Sequence, residues 1–364
     1  MKSTLCIIFT LLFFTFNTTF SQDIYSERPA AVISLMPVYE GWSTSDSIGF
    51  SEFSSILSIG YNPLEYTSLG LVTRYASVGG DVSSLSGLSD MQITIRQKLP
   101  DQNLTFDGGV NIPSGKTKLN ENEFITSRII SQELFSMRTP NFGQGLNAFL
   151  GATWLNQFSD NVVGGLGLSY QLKSEYQPLA AISDKYTPSN ELSLTAGLDI
   201  KLSETQTITG DFTGIFYGSD KLNGKEIFSS GNRLIFNSMY RQFFGFDFLS
   251  LYILYRNVAL DQLKGEYAVL DNEKITPNQV YIGAGYNQRF NPSFTLGYGL
   301  FTSIYEKTAG YFSGYTIYGA SLSPQFMLSP SVSIPVMLKY AVGSAKDKPD
   351  LSNYVISTGL RFNL

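Results

Sequence analysis

The chain has 364 residues, with 25 Lys and Arg against 30 Asp and Glu, no histidine and a single cysteine, Cys6. Without imidazole, and with its one thiol in a predicted targeting segment, the mature chain cannot use Ser-His-Asp or Cys-His catalysis, a zinc finger, a disulfide or haem ligation by histidine. Only 15% of residues are charged while 14% are aromatic, whereas a soluble enzyme carries roughly a quarter of its residues as charges; the balance fits a β-rich chain with an apolar exterior.

Residues 1–21 read as a cleaved secretory signal: Lys2 supplies the basic start, Leu5 to Phe16 the apolar run, and Thr19 and Ser21 the small residues before the cut. Residues 22–30 form a short periplasmic arm, and 31–364 a single β-barrel domain. No later run approaches the roughly 20 apolar residues of a spanning helix.

Alternation of apolar and polar residues with period two marks strands. It is clearest at 190–202, where Leu192, Leu194, Ala196, Leu198, Ile200 and Leu202 alternate with Glu191, Ser193, Thr195, Asp199 and Lys201. It recurs near 31–40, 51–62, 65–77, 89–99, 103–112, 145–156, 161–173, 206–217, 231–242, 246–256, 278–290, 293–305, 315–327, 331–342 and 353–364. Short turns such as Asn291-Pro292 alternate with longer polar loops near 41–50, 78–88, 113–144, 174–189, 218–230, 257–277, 306–314 and 343–352.

Short turns on one side and long loops on the other predict an all-β fold, a transmembrane antiparallel up-and-down barrel of about sixteen strands, within a range of about twelve to sixteen. A soluble sandwich or propeller also alternates, but its strands are usually about 5 or 6 residues long. Tyr61, Tyr66, Tyr75, Trp154, Tyr170, Tyr240, Tyr255, Tyr286, Phe294 and Tyr340 fall on the apolar faces near strand ends, where interfacial girdles sit. The last strand, ending Leu360-Arg361-Phe362-Asn363-Leu364, resembles the terminal signal read by barrel-assembly machinery. Expected partners are therefore outer-membrane lipid, that machinery and a small solute, in the outer membrane of a Gram-negative bacterium. No cofactor, metal or nucleic acid is expected.

With polar faces turned inward, the basic side chains Arg96, Lys98, Lys201, Arg241, Arg289 and Arg361 gather toward the periplasmic rim, with Asp199 as the nearby acid; fixed positive charge in a pore favours anions. Arg74, Lys173, Arg233, Arg256 and Lys339 are further inward cations. Phe149, Tyr217, Tyr252, Tyr281 and Phe301 are candidate lining groups for apolar or aromatic solutes, or packing that narrows the lumen. In the long loop at 113–144, Glu121 to Leu134 has the pattern of a short helix with Phe124, Ile125, Ile129 and Ile130 on one side. Phe124, Arg128 and Ile129 are the constriction candidates if the loop folds inward; a lid across the mouth is the alternative.

Leu88-Ser89-Asp90-Met91-Gln92-Ile93-Thr94-Ile95-Arg96 resembles the Gly-x-x-Asp strand opening of outer-membrane channels associated with phenol-degradation meta-pathway clusters. Gly109-Val110-Asn111-Ile112-Pro113-Ser114-Gly115-Lys116 resembles that family's Pro-Thr-Gly strand end, with Ser114 in place of Thr, and Asn141-Phe142-Gly143-Gln144-Gly145 stands where the family has a Gly-Thr-Gly-Ser run. The resemblance, over about 88–175, implies a porin-like barrel for small and often hydrophobic molecules, and the signal style resembles exported Bacteroidetes proteins. The leading functional expectation is a channel or transporter for small solutes, not an enzyme. The other is a non-conducting structural barrel within a secretion or motility assembly, and either could form homo-oligomers.

Overall fold

The computed structural model describes residues 29–46, 48–265, 274–308, 313–346 and 348–364. The expected signal, 1–21, and most of the arm lie outside these residues, as do parts of the loops near 257–277, 306–314 and 343–352. Sixteen spanning strands run up and down in chain order. They are β1 (Ala31–Thr44), β2 (Gly49–Leu64), β3 (Thr67–Gly80), β4 (Leu85–Leu88, then Met91–Leu99), β5 (Leu104–Ile112), β6 (Asn147–Ser159), β7 (Val162–Lys173) and β8 (Glu191–Ser203). The second half holds β9 (Gln206–Tyr217), β10 (Arg233–Phe244), β11 (Asp247–Val258), β12 (Gln279–Asn291), β13 (Phe294–Tyr305), β14 (Tyr315–Ser329), β15 (Val332–Ser344) and β16 (Leu351–Thr358, then Leu360–Asn363).

Every neighbour pairs antiparallel, and β16 closes the ring on β1 through Tyr39↔Ile356 and Ile33↔Phe362. Reciprocal hydrogen bonds between Ala31 and Leu364 seal the seam at the periplasmic end. Closure satisfies each backbone N–H and C=O from within the sheet, which a bilayer demands because it offers no water to do so.

The alternation sets which face meets lipid. On β7 the outward Leu166, Leu168, Tyr170 and Leu172 are all exposed, and on β8 so are Leu194, Leu198 and Leu202. An apolar band of this extent exceeds what a water-soluble surface carries, so the exterior is membrane-facing. Tyr61, Tyr75, Trp154, Tyr170, Tyr255 and Tyr340 stand on it near strand ends. A slip of one residue along β10 would turn Arg233 and Arg241 into lipid, at about 2–4 kcal/mol for a cation at the midplane; the register is thereby fixed.

Several strands extend beyond their expected ends. β1 continues through Gly41, Trp42 and Ser43, paired with both β2 and β16, and Thr44, paired with β16. Above the lipid these residues have no need of an apolar outer face, so their alternation fades while their pairing persists. Outside the barrel, Tyr186–Thr187, Asp220–Leu222, Lys225–Ser229 and Gln262–Leu263 make a small extracellular sheet.

Candidate permeation site

The 113–146 loop folds into the lumen. One carboxylate clasps both its ends: Asp90, at the break in β4, accepts from Gly115 N at 3.0 Å and Gln144 N at 2.7 Å. Ser114 Oγ adds a bond to Ser89 O at 3.2 Å and accepts from Met91 N at 2.9 Å. A Cβ on Gly115 would lie 1.9 Å from Phe142 O, so only glycine permits this approach. The three motifs that carried the family resemblance therefore converge on one knot.

Between the clasped ends lies α1 (Glu121–Ile130), started by Asn120 in a capping box with Glu123. Ten residues make a marginal helix alone; packing holds this one. Its buried side chains are Thr126, whose Oγ1 donates to Ser83 O, and Ile130. The expected single stripe of Phe124, Ile125, Ile129 and Ile130 needs correction: Ile125 is 53% exposed. Successive helical residues point about 100° apart, so Phe124 packs against the core while Ile125 turns away from it. Ile129 is half-buried and Arg128 is exposed.

After α1 the loop fills the extracellular half of the lumen. Ile130, Leu134, Met137 and Phe142 join Trp42, Ala76, Val78, Leu85, Tyr305, Ile317 and Leu351 in one apolar cluster. Phe135 sets its ring edgewise against Trp42, centroids 5.3 Å apart, and against Phe50 at 5.0 Å. Polar anchors accompany it. Glu133 bridges Arg233, Nη1 to Oε1 2.9 Å, and Arg256. Thr139 N donates to Glu52 at 2.9 Å. Glu52 lies directly across from Glu40 in the β1–β2 register, and Arg74, Arg138 and Lys339 are the cations beside this carboxylate pair. Glu40, Glu52 and Glu133 thus bring three carboxylates into the lumen, and Arg138 one more cation, that the sequence-based inventory of inward charges omits.

Nearer the periplasm most inward side chains stay half-exposed, among them Asp199, Thr207, Thr209, Asp211 and Arg241. The six basic candidates are not equivalent there. Arg96 pairs with Asp107 at 2.5 Å, and Lys201 with the turn residue Glu204 at 2.8 Å. Arg241 lies by Met239 Sδ at 3.1 Å with Asp199 as its electrostatic neighbour. Arg289 stacks over Phe246 of the β10–β11 turn, 5.0 Å from the ring centroid. Arg361 donates to Asn363 at 3.3 Å. Lys98 shares the inward face of Arg96, two residues along β4. Asp199 is therefore not the lone acid near this rim; Asp107 joins it because β4 and β5 are paired at that level.

Four of the five aromatic candidates form an arc on β9 to β13. Tyr252 and Tyr281 meet edgewise at 5.6 Å, and Tyr281 stacks on Phe301 at 5.6 Å. Lys339 sits over Phe301 at 5.2 Å, and Arg233 over Tyr217 at 5.5 Å. Phe301 lies flat against Gly319, where a Cβ would approach it to 2.2 Å. Phe149 stands apart on β6, covering Gly109.

No protein-family model matches this sequence, and no curated protein resembles it in sequence. Solved structures do match. Pseudomonas aeruginosa OpdL is 13% identical with a TM-score of 0.50, the alignment covering 92% of this chain and 99% of that one. The CymD monoaromatic hydrocarbon channel is 13% identical, TM-score 0.48, covering 93% and 89%. An outer-membrane channel from Pseudomonas putida F1 is 10% identical, TM-score 0.39, covering 94% and 98%. At such identities the likeness is one of fold: a closed sixteen-strand antiparallel barrel, of the architecture seen in outer-membrane channels.

Proposed function

We propose that the protein is an outer-membrane channel for small solutes, with a preference for anionic or aromatic ones. The observation that carries this reading is the two-part lumen: a polar, solvent-accessible periplasmic section beneath a section occupied by a folded loop whose contacts include ion pairs. Half-exposed charges such as Arg241 and Asp211 face an interior space, where fixed charge selects among permeating solutes. The aromatic arc ending at Lys339 offers ring faces and a cation along one wall, which suits a solute with a flat apolar body and a negative group. The motif resemblance to channels of phenol-degradation clusters points the same way.

A second reading, a non-conducting barrel, draws support from the fully buried Ile130 and Phe142, which make the inserted loop part of the core. Single-channel recording of purified, refolded protein in a salt gradient separates the two. The channel reading expects discrete conductance with a reversal potential toward anions. Heat-modifiable, correctly folded protein with no conductance would favour the structural barrel.

A further inference from the structure

Glu133 belongs to the loop, while the two guanidiniums that hold it belong to the barrel wall: Arg233 begins β10, and Arg256 lies near the end of β11. Arg256 is 6% exposed. One carboxylate does not engage the whole pair: Arg256 Nε and Nη2 and Arg233 Nε are buried and have no hydrogen-bond partner among the described residues, and Glu133 Oε2 meets Arg256 Nη1 as an ion pair without hydrogen-bond geometry. Buried donors without a partner require an explanation, and a further acceptor at this pair is one. The planar guanidinium fork matches a carboxylate and gains from two-point contact. Arg233 lies over the Tyr217 ring, and the Tyr305 hydroxyl donates to Glu133 O at 3.4 Å, so one ring face adjoins the cations and a second tyrosine holds the loop backbone. The segment carrying Glu133 is also under local tension: Ser136 has φ 49°, a left-handed conformation that costs a residue with a side chain.

We propose that Arg233 and Arg256 form a binding site for the carboxylate of a small organic acid, and that Glu133 occupies it as an internal stand-in which a solute carboxylate displaces. The role of this exchange in passage rests on the channel reading; the binding site itself does not. Displacement is local. Leu134 and Met137 remain in the apolar cluster, while the turn between them shifts and draws Phe135 from Trp42.

Trp42 provides the readout, because the chain has two tryptophans and Trp154 faces outward. In a Trp154→Phe background, the folded full-length barrel is titrated with sodium benzoate, and with benzyl alcohol or sodium chloride at matched ionic strength. The proposal expects a saturable red shift of Trp42 emission with benzoate alone. Glu133→Gln should be red-shifted before titration and show a several-fold lower half-saturation, since the competitor is weakened. Arg256→Gln should lose the response; if it fails to fold, Arg233→Lys, which keeps charge but not the fork, should weaken binding several-fold. An unchanged Trp42 emission, an equal response to benzyl alcohol or chloride, or an unaltered half-saturation in Glu133→Gln would overturn the site. A benzoate response in protein that does not conduct would count against the channel reading alone.

Discussion

The two halves of the lumen are built from the same strands, yet they are different environments. In the extracellular half the inward Trp42, Ala76, Val78 and Ile317 are buried in one cluster with the inserted loop, and Val355 is buried too. In the periplasmic half the inward Asp199, Thr209 and Asp211 remain half-exposed. A barrel wall therefore does not determine whether its interior is core or conduit; one loop does. The difference also sorts the charges. Arg256 near the loop is buried and paired with the half-buried Glu133, and removing that partner leaves the guanidinium stranded. Arg96 and Lys201 near the rim form half-exposed or exposed pairs that water and salt screen.

The sharpest way to break this contrast is to remove the loop. Replacing 120–138 with a short Gly-Ser linker should raise single-channel conductance severalfold and make the upper lumen resemble the lower one. An unchanged conductance in heat-modifiable, folded protein would mean that the segment does not restrict passage.

A smaller effect should come from Asp90→Ala, which leaves the barrel intact but frees both ends of the loop. The lost bonds from Gly115 N and Gln144 N, both to a charged acceptor, are each worth about 1.5–3 kcal/mol. Hydrogen exchange across 113–146 should accelerate by at least tenfold while the strands β8 to β12 stay protected. Equal exchange in wild type and variant would remove Asp90 from its place as the clasp.

Weaker still is the rim. Replacing Arg241, Arg289 and Arg361 together by Gln should move the reversal potential toward cations, with Arg241→Gln alone giving most of the shift. Arg289 sits over Phe246 in an exposed turn and should add little. A dominant Arg289 effect would contradict the placement.

The smallest effect on the pore is expected from the extracellular sheet. Burial, with the charges of Asp220 and Asp90 adding to it, pushes the Tyr176 hydroxyl up to about 12. A folded-state value above the ordinary 10 means that Tyr176 contributes stability below pH 10, which is lost as pH rises toward 12. Alkaline titration should release the 174–189 segment to protease in that window, and Tyr176→Phe should delay the release.

Much of this architecture is legible in the sequence, and the limit has a physical cause. All sixteen strands announce themselves because lipid imposes an apolar residue at every second position, as on β8. The turn-and-loop alternation then sets the topology. Above the membrane that pressure ends, so the continuation of β1 through Trp42 reads as loop although it is paired. The helix is legible in the spacing of Phe124, Ile125, Ile129 and Ile130, although Ile125 does not share the buried side and the Asn120–Glu123 capping box emerges only in the structure. The Asp90 clasp joins residues 25 and 54 positions apart, and the Glu133 bridge to Arg233 spans 100. No local pattern encodes such pairings. Arg256 is visible as an inward cation, but its importance comes from a partner on another element.

The central claim, an accessible periplasmic section beneath a loop-filled extracellular one, is most directly tested by single-cysteine accessibility, since the chain's one native cysteine is Cys6. Thr209→Cys on the lower wall and Val355→Cys on the upper wall would each be exposed to a membrane-impermeant thiol reagent, in the full chain and in the 120–138 deletant. The account predicts rapid labelling at 209 in both, and labelling at 355 only when the loop is gone. Equal labelling of the two positions in the intact protein, or protection of both, would contradict it.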